Sequence, residues 1–230
     1  MIKEKYVKKT IYISLLIQLI TTLISLDGLN YDLIRRDEVL HEILLLEAFV
    51  QFVEAGFYIW VIFALKDLRT MTPRRYLDWF FTTPTMLIST VVFMEYVRAK
   101  ENDSPIITLK GFIREKRKDI IKITLLNLGM LLFGYLGEIH VISKHDSIFY
   151  GSAFFILAFQ TIYDRYASKT KEGKHLFKAI FGIWSLYAVA AWQPIIRKNV
   201  MYNALDIFSK NFYGLFIYAY IRRVGSRKSR

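Results

Sequence analysis

The sequence predicts an all-α integral membrane protein: a seven-transmembrane helix bundle forming one domain over residues 1–230. Three observations lead there. Apolar residues, 54% of the chain, gather in long blocks while the charges crowd between them, and mean hydropathy is +0.28. The blocks are apolar all round, as in VVFM or FFILAF, whereas a soluble helix keeps a polar face. Net charge is +12, with the basic residues placed beside the blocks. Cysteine is absent, which rules out a disulfide scaffold, a Cys-ligated zinc site and a thiol nucleophile. This apolar content also excludes a disordered chain.

A helix needs roughly 20 apolar residues to cross a bilayer. Each block reaches that length once flanking aromatic residues and snorkelling Lys or Arg are counted. Block 11–26 is free of charge and predicts a helix over 8–27, with no small-residue cleavage site to make it a leader. Block 43–65 holds only Glu47 and Glu54 and predicts 38–65. The uncharged blocks 79–94, 123–137, 147–163 and 179–196 predict helices over 72–97, 119–138, 146–166 and 175–197. Block 199–221 holds only Asp206 and Lys210 and predicts 199–222.

Basic residues set orientation. Segments 27–37, 98–122, 164–178 and the tail after 221 together carry 20 Lys or Arg, against 11 in the N-terminus and the opposite connections. The expectation is an outside N-terminus and a cytoplasmic C-terminus, although Lys3, Lys5, Lys8 and Lys9 pull the other way. The basic run 98–119 suits anionic lipid headgroups better than nucleic acid, which is not expected as a partner. No Gly-rich phosphate loop or paired-His metal spacing is present, and His41, His140, His145 and His175 lie near block ends. Neither a metal nor an enzymatic activity is expected. Gly129, Gly134 and Gly137 allow close approach on the fourth helix, within the bundle or in a homo-oligomer.

Ionisable residues in mid-membrane cost about 2.5–3.5 kcal/mol each on insertion scales, so each is a functional candidate. Asp206 and Lys210 stand four apart on one face of the seventh helix. Arg75, Asp78, Trp79, Thr82 and Thr83 open the third. Glu47, Gln51, Glu54 and Tyr58 form a polar stripe on the second, with Ser14 and Gln18 on the first. The stripe has no evident basic partner, which favours a water-filled path over structural ion pairs. A buried lysine with a carboxylate one turn away suits imine formation with an aldehyde. Asp206 or Asp78 would offset the imine charge, with Arg75 compensating both acids. Trp79, Trp184 and Tyr187 supply flat walls for a long conjugated ligand.

At these residues the chain resembles the microbial (type 1) rhodopsins. Arg75-Tyr76-Leu77-Asp78-Trp79-Phe80-Phe81-Thr82-Thr83-Pro84 is similar to their third-helix motif, and Leu205-Asp206-Ile207-Phe208-Ser209-Lys210 to their retinal-lysine motif. Trp184-Ser185-Leu186-Tyr187 resembles the sixth-helix pocket. The resemblance implies all-trans retinal bound as a protonated Schiff base at Lys210, with Asp78 and Asp206 as counterions. It also implies a pocket that includes Arg75, Trp79, Thr82, Thr83, Met86, Trp184 and Tyr187.

Departures from the family pattern bear on function. The proton-donor position of the pumps, eleven residues beyond Asp78, is Ser89; Ala188 stands where a proline usually follows Tyr187. The connection around Arg197 and Lys198 lacks the glutamate pair often used for proton release. Carboxylates gather instead on the second helix, as in channelrhodopsins, and Ser14, Gln18, Glu47, Glu54 and Ser209-Lys210-Asn211 look similar to the giant-virus rhodopsins of the channel group. The expectation is a light-gated cation channel passing monovalent and divalent cations or protons. Ser14, Glu47 and Asn211 would form a constriction, with Gln18, Gln51 and Glu54 lining the path. The alternatives are an outward proton pump with Glu42 or Glu47 as donor, and a photosensor coupled through 98–122.

Overall fold

The computed structural model describes residues 4–64 and 68–227. Lys3, Lys66, Lys228 and Arg230 of the charge count, and position 65 at the end of the second expected helix, lie outside the described residues.

Among the described residues the chain forms α1 (Glu4–Asp27), α2 (Val39–Ala64), α3 (Leu68–Glu101), a short α4 (Leu109–Glu115), α5 (Arg117–Glu138), α6 (Lys144–Arg165), α7 (Lys171–Trp192), α8 (Ile195–Asp206) and α9 (Phe212–Val224). A π turn over Ile207–Asn211 joins α8 to α9. The backbone stays right-handed helical through the join, so α8, the turn and α9 form the seventh long run. α1, α2, α3, α5 and α7 are long and apolar enough to cross a membrane by length and composition alone. α6 carries charges at both ends (Lys144, Asp146, Asp164, Arg165), and the seventh run carries its charges in the middle.

Local chemistry sets several boundaries. Ser143 and Thr170 cap α6 and α7 by accepting from the N–H groups of Asp146 and Gly173. Pro194 ends α7 early: Gln193 before it is extended, as proline demands. The sixth helix therefore stops at Trp192 instead of reaching 197. Arg197 and Lys198 belong to the first turn of α8, and Lys198 donates to both oxygens of Glu138 at 2.7 and 2.8 Å. Inside α3, Pro84 removes one backbone bond. The hydroxyls of Thr82, Thr83 and Thr85 donate one turn back, to the carbonyls of Asp78, Trp79 and Phe81.

Burial is arranged for a lipid solvent. Leu23, Phe52, Phe63, Leu125 and Phe149 face outward, while Gln18, Glu47, Gln51, Arg75, Asp206 and Lys210 are fully enclosed. The three glycines of α5 are spent within the bundle: Gly129 packs on Phe154, Gly137 on Ser147 and Gly134 on Tyr76. At the end carrying the C-terminus, Tyr31–Asp32 pairs antiparallel with Ser226–Arg227, which the sequence pattern does not announce. Two residues per strand is too short for an alternating pattern to show.

Candidate functional site

The centre of the bundle is a cluster of charges contributed by α2, α3 and the seventh run. Lys210 is 1% exposed, and its Nζ donates to Asp78 Oδ2 at 2.6 Å. Glu54 Oε1 lies 3.8 Å from the same nitrogen. The α2 stripe thus has a basic partner after all, and Glu54 joins the lysine as well as the stripe. Lys210 sits in the π turn, whose wider coil alters the angle between positions four apart.

Asp206 turns elsewhere. Its Oδ2 accepts from Arg75 Nη1 at 2.8 Å and Tyr58 OH at 2.9 Å, and its Oδ1 accepts from Tyr187 OH at 2.8 Å. Arg75 also donates to Asn203 Oδ1, and its guanidinium lies over the rings of Phe57, Tyr58 and Tyr202 at 5.3–5.8 Å. Arg75 therefore pairs directly with Asp206, while Asp78 is hydrogen-bonded to Lys210. The Arg75–Asp206 pair has no exposure on either side chain. Replacing Arg75 with Gln would leave Asp206 buried without its cation, at an expected cost of about 3–5 kcal/mol. A drop in the thermal midpoint of the solubilised protein checks this.

Beside the cluster lies a cavity of about 750 Å³ whose wall includes Lys210, Trp79, Met86, Trp184 and Tyr187. Trp79 meets Tyr187 edge-on at 5.6 Å and Tyr202 at 5.1 Å, so the aromatic rings hold one another in place. Thr83 also lines the cavity, and Asn127 Nδ2 donates to its hydroxyl at 2.8 Å. Thr82 is buried, and its hydroxyl bonds the Asp78 carbonyl. An amine with an acid partner at one end and a long aromatic and aliphatic wall fit the retinal that the resemblance implies. Volume and lining both match a site for one elongated apolar ligand.

The remaining polar residues run between α1, α2 and the seventh run. Ser14 donates to the carbonyl of Asn203 at 3.0 Å, on the Asp206 side of Lys210. Gln18 Nε2 donates to the carbonyl of Gln51 at 2.9 Å, and Thr21 donates to Asn211 Oδ1 at 2.6 Å. Ser89 donates to Glu47 Oε1. Ser14, Glu47 and Asn211 thus turn to three different partners and do not close one constriction. The reason is geometric: α1 and α2 run antiparallel, so Ser14 is level with the Asp206 end and Glu47 with Ser89. Ser89, at the position that the resemblance assigns to a proton-donating acid, receives one from the neighbouring helix. Glu42 is engaged elsewhere, accepting from the N–H of Leu109 at 2.7 Å.

The sequence reading missed Asn127, Asn203 and Tyr202. Asn203 falls in the stripe 199, 203, 206, 210 of one helix face, and Asn127 is a lone amide in an uncharged block; both were available signals.

A family profile described as bacteriorhodopsin-like protein matches residues 9–224. No curated protein sequence matches. Among solved structures, the viral rhodopsin OLPVRII is 29% identical, with a TM-score of 0.81 over 95% of this chain and 98% of that one. A blue light-absorbing proteorhodopsin from Med12 is 19% identical, with a TM-score of 0.72 over 95% and 98%. The light-driven proton pump from Coccomyxa subellipsoidea is 16% identical, with a TM-score of 0.68 over the same shares, 95% and 98%. The last two speak for the fold. With the profile spanning nearly every helix, the chain belongs to the bacteriorhodopsin-like family of microbial rhodopsins.

Proposed function

We propose that this multi-pass membrane protein is a light-gated cation channel, with all-trans retinal attached to Lys210 as a protonated Schiff base. Members of the family are retinal photoreceptors and ion transporters rather than enzymes. Retinal supplies light absorption and isomerisation; the rest of the device belongs to the chain. Asp78 holds the positive charge at the Lys210 nitrogen. Arg75, Tyr58 and Tyr187 hold Asp206 in a fixed network beside it.

The observation that carries the channel reading is a column of buried polar groups leading from Lys210 between α1, α2 and the seventh run. Both carboxylate oxygens of Glu54, both side-chain polar atoms of Gln51, Gln18 Oε1, Glu47 Oε2 and Asn211 Nδ2 lack a protein hydrogen-bond partner. Buried groups of this kind are satisfied by water. Beyond Glu47 the column meets the apolar side chains of Leu40, Ile43, Leu44, Ile217 and Ile221, all fully buried. An apolar constriction that dewets is a closed gate. The surplus of basic residues supports a cytoplasmic C-terminal end of the column and an outside N-terminus.

Outward proton pumping is the second reading, favoured by the Ser89–Glu47 contact, which puts an acid where pumps keep their donor. Voltage clamp under illumination separates them. A channel current reverses with the cation gradient, a pump current keeps one sign, and a photosensor gives no stationary current. At an effective dielectric near 20, a charge about 8 Å from an ion is worth about 2 kcal/mol. Glu47→Gln and Glu54→Gln are therefore expected to cut the reversing current more than about tenfold while a visible band still forms. Normal gradient-driven currents in both would remove α2 from the path, and slower dark-state recovery with a one-signed current in Glu47→Gln would establish the pump.

A further inference from the structure

We propose that the slit between α6 and α7, in the half of the bundle carrying the N-terminus, is the port through which a long lipophilic aldehyde reaches Lys210 from the bilayer. The proposal rests on the assignment of Lys210 as the attachment site. Lys210 is enclosed, so a folded chain must part somewhere to load it.

The two helices are antiparallel and in a definite register. Phe159 meets Phe177 at 5.9 Å, Phe155 stacks on Phe181 at 5.3 Å, and Lys144 Nζ donates to the carbonyl of Trp192 at 2.8 Å. That register sets Gly151 opposite Ser185 and Ile148 opposite Ala188. The C-terminal half of the slit is zipped by the phenylalanines, to which Trp184 adds a contact with Phe159 at 5.7 Å. The far end is latched by Lys144 and by the ring of His145 against Trp192 at 5.6 Å. Between zip and latch stand Gly151, Ser152, Ser185 and Ala188, all lining the cavity that contains Lys210. None carries a long side chain, and Ser185 turns its hydroxyl back to the carbonyl of Phe181. Ala188 occupies the position where the resemblance leads one to look for proline.

Ser152, Ser185 and Ala188 are half-buried and flanked by the exposed Phe149 and Val189, so this wall reaches the lipid face. α6 packs mainly on α5 and touches α7 lightly, which makes parting these two helices a low-cost local opening. The alternative mouth, past His140 and Lys144 at the bundle end, would drag an apolar molecule across the Glu138–Lys198 ion pair. Disturbing a half-buried pair of that kind adds a cost that the window does not carry.

The test is the rate at which apoprotein in lipid nanodiscs gains its visible band after all-trans retinal is added. Ser152→Phe and Ala188→Leu fill the window and are expected to slow loading about fivefold, a barrier increase of about 1 kcal/mol. Because both residues line the cavity, the rate is read as the half-time to each variant's own final absorbance. Ala153→Phe adds bulk on the exposed face of α6 and should load at the unmodified rate. Lys144→Met releases the latch and should load several-fold faster. Unchanged rates in both window variants, or equal slowing by Ala153→Phe, would overturn the port. If the window variants lose their helical circular dichroism, Lys144→Met decides: faster loading supports the port and an unchanged rate overturns it. An unmodified apoprotein that forms no band at all would reject the Lys210 assignment, and the port with it.

Discussion

Lys210→Ala is expected to abolish the visible retinal band entirely while the bundle remains folded. The amine is the one lysine in the charge-poor interior blocks, and it lies at the wall of the cavity with Asp78 at 2.6 Å. Removing it takes away the nucleophile, and the other lysines among the described residues stand in the loops or near helix ends, away from the acids of the cluster. The cavity itself would survive, so free retinal could still enter with its unbound near-ultraviolet absorption. The measurement is the spectrum of the purified variant after retinal addition, followed by hydroxylamine. A persisting visible band that bleaches with hydroxylamine would move the attachment site elsewhere and undo most of the functional reading.

Asp78→Asn is expected to shift the visible band to the red. A carboxylate about 4 Å from a positive charge is worth about 4 kcal/mol at an effective dielectric near 20. On excitation the positive charge moves away from the nitrogen, so the excited state forfeits part of that stabilisation. Without Asp78 the forfeited part vanishes and the transition energy falls. The residual shift depends on Glu54, 3.8 Å from Lys210, which can take over part of the role. Spectra of Asp78→Asn, Glu54→Gln and the double variant read out the division. A band unmoved in Asp78→Asn but moved in Glu54→Gln would make Glu54 the principal partner.

Substitution of Arg75 acts differently from either, because its partner is Asp206. A charge change at Asp78 alters the lysine's environment directly. One at Arg75 first loosens the Tyr58–Asp206–Tyr187 network and the aromatic cage around it. Stability and spectrum should therefore separate, with Arg75→Gln dominated by stability and Asp78→Asn by colour.

What the sequence determined by itself is what composition and spacing along one helix can carry. Charge-poor blocks of bilayer length named the membrane helices. Asp78 and Lys210, each legible on its own helix, come together at 2.6 Å. The tertiary structure alone decided which residues meet across helices. Glu54 reached Lys210, Asp206 went to Arg75, Glu47 went to Ser89, and Ser14 stayed on the far side of the lysine from Glu47. It also decided that the glycines of α5 serve contacts within the bundle. The reason is that a 3.6-residue period fixes a residue's face on its own helix. The rotation and vertical offset of one helix against its neighbour are set by packing, and the π turn around Lys210 departs from that period where the site is built.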